Sequence, residues 1–343
     1  MTVSVTKPAI NLREELADLR KPTGLAGEAM LRAETPQEQF NLIGAGRRNW
    51  IINGSHIVNQ RNVLPVTGMG NGEYEHTDRW LTNITGITGD ASLSSGKLKA
   101  VATSTSASGY IGFIQRIEDV SVLAGKEITV SAKITSNSPE AKILLRASGT
   151  TFGYVKYTGA GQEQLVSGTF VVPSTATSLD IRIKITSTTD GGTDVNTGDY
   201  IEFTEVQLEL GKVATPFEHR SYGEELALCQ RYYFKMDFPQ TMAFGPAHRQ
   251  TTNTLRATIE SPVPMRSLPS INSSGQPSWI VYWVNGSDGT GSNVTDTSGT
   301  AFSMVTGSLD GNRFAITATA SGLDPYVTAL FGYSGDLEFN AEL

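Results

Sequence analysis

The sequence predicts an all-β protein: a short helical segment, then a jelly-roll β-sandwich, then a second β-sandwich. Three observations predict it. Charged residues make up only 18% of the 343 residues, and Gly, Ser, Thr and Asn fill their place, a composition suited to short strands joined by tight turns. Several stretches alternate apolar and polar residues with the period of a half-buried strand. Gly, Pro, Asn-Gly and Asp-Gly punctuate the chain between those stretches.

The exception comes first. In "INLREELADLRKP", Leu12, Leu16 and Leu19 form one narrow apolar stripe, with Asn11 as a cap and Pro22 as a stop. So short a helix is marginal alone and needs identical copies, a socket or its own chain to pack on. Thr35, Pro36 and Glu38 have capping-box spacing for a second short helix. Residues 1–48 are too few for a core and read as an attachment segment.

From "NWIINGSHIVNQ" onward the pattern is β, with Asn53-Gly54 and Asn71-Gly72 read as hairpin turns. Ile128, Val130, Ala132 and Ile134 share one face of a strand. Ile181, Ile183 and Ile185 face inward, and Arg182 and Lys184 outward. "YIEFTEVQLEL" slips phase between Phe203 and Val206, which predicts a β-bulge near Thr204 or Glu205. Roughly seven or eight strands between Trp80 and Leu210 suggest a jelly roll, placed at residues 49–217. After Glu218, "YGEELALCQRYY" has brief helical spacing, and strands such as "TLRATIE", "SWIVYWV" and "RFAITATA" build the second domain, residues 218–343.

Chemistry is sparse. The four histidines lack metal-ligand spacing, and "GMGNGE" lacks the strand–helix context of a phosphate loop. Glu218, His219 and Cys229 suggest a Cys–His nucleophilic set, but the neighbours of Cys229 favour a buried small hydrophobe. Asp190, Asp194 and Asp199 are candidate oxygen ligands for a structural Ca²⁺; no other cofactor is expected. The acidic residues of "GDYIEFTEVQLEL" fall along one strand, which does not make the facing pair a glycosidase needs. Two long polar stretches, "KMDFPQTMAFGPAHRQTTN" and "VNGSDGTGSNVTDTSGT", read as tip loops where binding residues collect. They supply Phe244, His248, Asn285, Asp288 and Asn293 as candidate contacts. Trp279 and Trp283 lie on a strand apolar on both faces, which suits a core or a subunit interface.

A net charge of −7 argues against nucleic acid or an anionic membrane surface as partner, and no window approaches the roughly 18 apolar residues of a spanning helix. One cysteine excludes an intrachain disulfide, and the N-terminus lacks a signal-like apolar core, as expected for a protein made in a reducing cytoplasm.

The stretch "VQLELGKVATPFEHRSYGEELALCQRYYFK", Val206 to Lys235, resembles the junction in bacteriophage tail fibre and receptor-binding proteins of short-tailed phages, where a strand end closes a carbohydrate-binding-module-like jelly roll and a short helix opens a C-terminal β domain. "KPTGLAGEAMLRAETPQEQFNLIGAGRRNWIINGSHIVNQR", "YEHTDRW", "PVPMRSLPSI" and "EFNAEL" resemble other parts of such proteins. The resemblance implies a homotrimeric, non-enzymatic virion protein. It would attach to phage tail, adaptor or capsid proteins through its N-terminus, with Leu12, Leu16 and Leu19 as attachment or trimer contacts, and meet host cell-surface polysaccharide with its C-terminal domain. The alternative is a capsid head fibre or decoration protein with a purely structural role.

Overall fold

The computed structural model describes residues 48–61, 65–74, 77–186, 194–251, 254–274, 279–283, 292–296, 302–304, 312–319 and 329–342. Leu12, Leu16, Leu19, Asp190, Asn285 and Asp288 lie outside them. The described residues are nearly all β, with one helix of nine residues, and no helix among them is long and apolar enough to cross a membrane.

Ten strands build the first domain: β1 (Leu81–Thr85), β2 (Gly89–Ser94), β3 (Lys97–Ala102), β4 (Tyr110–Ile117), β5 (Glu127–Ser136), β6 (Ala141–Ala147), β7 (Thr150–Lys156), β8 (Gln164–Val171), β9 (Leu179–Thr186) and β10 (Tyr200–Leu210). They form two antiparallel five-stranded sheets, ordered β1-β4-β9-β6-β7 and β2-β3-β10-β5-β8. The chain crosses repeatedly between sheets, as in a jelly roll. Between them Trp80, Phe113, Phe203 and inward aliphatics such as Ile84, Leu98, Val130, Ile143, Val166 and Ile183 are buried in one core. Trp80 and Phe203 meet edge to face at 5.2 Å, a geometry that adds to their area burial.

The predicted bulge is present. The β10–β5 register shifts between Thr204 and Gln207, Glu205 takes a left-handed φ of 51°, and Ile201, Phe203, Val206 and Leu208 are all buried. Its cause lies outside the sheet. The Val206 N–H, out of the ladder, donates to the Gly54 carbonyl (2.9 Å), and the Val206 carbonyl accepts from Asn49 Nδ2 (3.1 Å). Asn53-Gly54 is therefore no hairpin turn. A Cβ at Gly54 would stand 2.2 Å from the Val206 carbonyl oxygen. Asn53 is buried, its side chain bonding Val58, Thr77 and Asp78. The dipeptide pins an irregular segment against the bulge.

The motif that carries the junction resemblance is a self-bonded clasp. Gln207 Nε2 donates to Glu209 (3.0 Å), Glu209 accepts from the Thr215 N–H and hydroxyl (2.9 and 2.6 Å), and the Glu218 N–H donates back to Gln207 (2.9 Å). Helix α1 (Tyr222–Gln230) follows, opened by a capping box of Ser221 and Glu224. Its buried Glu225 accepts the Asn53 N–H and pairs with Arg220 at 3.3 Å. Cys229 beside it is buried, as its apolar neighbours predict.

Eight strands complete the described chain: β11 (Tyr233–Thr251), β12 (Thr254–Glu260), β13 (Ser270–Ser274), β14 (Trp279–Trp283), β15 (Ser292–Asp296), β16 (Phe302–Met304), β17 (Arg313–Thr319) and β18 (Ala329–Asn340). The predicted second sandwich differs here, because all eight belong to one antiparallel sheet. The reason is β18, which pairs with β11 along one edge and with β13 and β14 in series along the other, so the ladder never divides. Phe234 stacks on Phe339 at 4.4 Å in a small core with Ile259, Met265, Phe314 and Leu337.

Two buried arginines tie this sheet to the jelly roll. The Arg79 guanidinium lies 3.5 Å over the Tyr232 ring, bonds the Arg116 carbonyl (3.0 Å) and pairs with Glu342. Arg61 lies 3.6 Å over Tyr233 and pairs with Asp78 (3.4 Å) and Glu342 (3.5 Å). Breaking a buried pair strands its partner's charge. Glu342→Ala is therefore expected to cost about 3 kcal/mol and to split a single unfolding transition into two, read by calorimetry; Glu342→Gln, which keeps hydrogen-bonding capacity, is expected to cost less.

Candidate functional site

The sheet β1-β4-β9-β6-β7 has an outer face as well as its core face, and strand register places residues on it row by row. One row runs Asn83, Gly112, Lys184, Lys142, Lys156, and the next Leu81, Ile114, Arg182, Leu144, Tyr154. Tyr110 precedes them, and Arg116, Asp180 and Arg146 follow. Alternation in β9 aims Ile181, Ile183 and Ile185 at the core, so Arg182 and Lys184 must take this face, as the sequence predicts.

The middle of the face is tightly set. Lys142 and Lys184 are buried, with Ile114 and Leu144 between them and the row of arginines, while Tyr110, Tyr154, Arg146 and Arg182 are half-buried around them. The Lys184 ammonium lies 3.9 Å from the centre of the Tyr110 ring, and that of Lys142 lies 5.8 Å from Tyr154. Gly112 makes this possible, since a Cβ there would stand 2.5 Å from both Cα and Cβ of Lys184.

Charge is unevenly met. Lys142 pairs with Glu140 (3.2 Å), and Asp180 pairs with Arg182 (2.8 Å) and, at 3.9 Å, with Arg116. Among the described residues Lys184 has no carboxylate partner. Burial, with Arg182, Arg146 and Lys142 nearby, pushes its ammonium down to about 7. Two buried polar atoms on the same face also lack partners, Asn83 Oδ1 and Arg182 Nε. A ring, a cation and an unmet acceptor side by side form a polar, partly aromatic surface suited to a hydroxylated ligand.

A concavity of about 280 Å³ opens at the joint and is lined by Trp50, Arg116, Glu118, Leu228, Arg231 and Tyr232. Its Glu118 is already matched within the chain. Burial works to raise Glu118, but hydrogen bonds from Arg231 (2.6 Å) and Tyr232 (2.5 Å) outweigh it and hold the carboxyl below its ordinary value. This cavity is part of the joint.

The sequence-predicted residues fall elsewhere. The stretch expected as a tip loop around Phe244 and His248 is mostly strand β11; a register shift between Phe238 and Met242 absorbs Pro239, a second leaves Phe244 out of the ladder, and Gly245 pairs with Phe331, so the loop-like character of Pro239 and Gly245 misleads. Asn293 lies on β15, opposite Tyr282. Glu218, His219 and Cys229 do not form a working set. His219 is exposed against Phe217, Glu218 accepts the Asn49 N–H, and burial pushes the fully buried Cys229 thiol well up. His56 is a core residue against Trp80 and Phe203, pushed by desolvation down to about 3. Among the described residues no cluster of His, Cys, Asp or Glu is arranged to hold a metal; the Asp199 carboxylate accepts the Asn196 N–H. Sequence reasoning saw Arg182 and Lys184 point outward but took the face as solvated. Their register with Lys142, Asn83 and Gly112 has no local signal.

No protein-family model and no curated protein matches the chain. Among solved structures it is similar to a CBM4 carbohydrate-binding module, at 17% identity and a TM-score of 0.31, covering 45% of this chain and 99% of that one. The TmCBM61 module in complex with beta-1,4-galactotriose matches at 11% identity and 0.26, over 43% of this chain and 99% of that one. The enzymatically active domain of tailspike protein 4 of bacteriophage CBA120 matches at 15% and 0.30, over 43% of this chain and 22% of that one. At these identities and TM-scores none of the three carries weight for what this chain does.

The buried ammonium makes a pH prediction. Between about 7 in the folded protein and its ordinary 10.5 in the unfolded chain, Lys184 takes up a proton on unfolding, so its penalty is complete below pH 7 and fades as pH rises through that window. Lys184→Met is expected to raise stability by about 1–3 kcal/mol at pH 6, with a smaller gain at pH 9, by chemical denaturation at both values.

Proposed function

We propose that the chain is a bacteriophage virion fibre protein that binds host-surface glycan without cleaving it, and that the outer face of β1-β4-β9-β6-β7 is a contact surface for sugar. The observation that carries the binding reading is the juxtaposition of Tyr110 and Tyr154 with Lys184, Lys142 and Asn83 on one sheet face. Flat rings cover the C–H faces of a pyranose, and polar groups beside them meet its hydroxyls. The fibre reading rests on the junction resemblance of Val206–Lys235, whose residues the structure places in the clasp, helix and buried arginine joint. In this reading the segment before Arg48 attaches to the tail or capsid. Three chains assemble as a homotrimer, and affinity comes from weak sites acting together.

Covering one tyrosine face buries about 50 Å² at roughly 25 cal/mol/Å², so Tyr110→Ala and Tyr154→Ala are each expected to weaken binding about tenfold. The measurement is saturation binding of purified full-length protein to host cells and to their extracted surface polysaccharide. Unchanged binding in both variants removes this face from the proposal. Loss of all binding by the wild-type chain, with trimers intact, leaves the purely structural fibre or decoration role.

A further inference from the structure

The same face has a feature that neutral sugar does not need. The whole chain carries a net charge of −7, yet six basic residues, Arg116, Lys142, Arg146, Lys156, Arg182 and Lys184, converge on this sheet face. Among the described residues Glu140 pairs with Lys142, Asp180 pairs with Arg182 and Arg116, and Lys184 has no carboxylate partner. Holding Lys184 among Arg182, Arg146 and Lys142 without a counter-charge is unfavourable in the free protein, and such arrangements collect at functional sites. The unpartnered Arg182 Nε and Asn83 Oδ1 add a donor and an acceptor beside it.

Building on the glycan reading above, we propose that the ligand is an acidic saccharide whose carboxylate sits against Lys184 and Arg182 while its ring lies on Tyr110 or Tyr154. A carboxylate supplies the missing counter-charge and accepts from both cations. A neighbouring hydroxyl donates to Asn83 Oδ1. Phosphate polymers fit less well, because the cations alternate with rings and aliphatic Ile114 and Leu144 instead of following a regular backbone.

The test compares uronate polysaccharides (polygalacturonate, alginate and hyaluronan) with the same polymers after reduction of their carboxyl groups, using the full-length protein. The expected result is that at least one acidic polymer binds, that its reduced form binds about tenfold or more weakly, as loss of a charge-assisted contact requires, and that Lys184→Met erases this difference while reducing the salt dependence. Lys184→Met is expected to be at least as stable as the wild type, which the denaturation measurement checks, so that lost binding is not lost structure. Equal binding of acidic and reduced forms overturns the acidic ligand but leaves glycan binding standing. Preference for a single-stranded oligonucleotide reassigns the face to phosphate. No binding of either polysaccharide form overturns the acidic ligand, and the glycan reading is then decided by the host-polysaccharide measurement above.

Discussion

Charge that is buried and must be answered governs this molecule. At the joint, the guanidinium of Arg79 is enclosed between the Tyr232 ring and the Arg116 carbonyl, and Glu342, at the far end of the chain, neutralises it. Arg61 repeats the arrangement with Tyr233, Asp78 and the same Glu342. These two pairs fix the C-terminal sheet to the jelly roll specifically, because a stranded guanidinium costs far more than the pair gains over apolar packing. The clasp of Gln207, Glu209, Thr215 and Glu218 and the capped helix deliver Tyr232 and Tyr233 to those arginines. A stretch with the look of a catalytic set is in fact a mechanical junction, and Cys229 serves it as a buried filler.

The jelly roll was largely legible in the sequence. Period-2 alternation in β5, β9 and β10 reports burial directly, and even the bulge follows from the phase slip between Phe203 and Val206. The errors arose where one residue type serves two physical ends. Asn53-Gly54 has hairpin chemistry, but its side-chain and backbone bonds are spent on Val58, Thr77, Asp78 and Val206. Pro and Gly ordinarily interrupt strands, while here a register shift carries Pro239 inside β11 and Gly245 pairs with Phe331. One sheet against two is decided by which strands β18 pairs with, a long-range matter without a local pattern.

The outer face shows the same limit at the site. Arg182 and Lys184 are visible as outward residues, and an outward cation on a strand ordinarily means solvent. Only register brings Lys184 beside Lys142 and opposite Gly112, and only the missing Cβ of Gly112 lets the ammonium reach Tyr110. The contrast with the joint is instructive. There every buried cation meets a carboxylate within the chain. On the sheet face, among the described residues, Lys184 does not, and the missing partner is the one the ligand is proposed to bring.

The most direct test is hydrogen exchange of the full-length protein, followed peptide by peptide, with and without the polysaccharide of its host. The account predicts new protection centred on β4, β6, β7 and β9, with the joint unchanged because it is already closed. Protection confined to β11–β18, with the jelly-roll sheet unaffected, would contradict it and return recognition to the C-terminal domain.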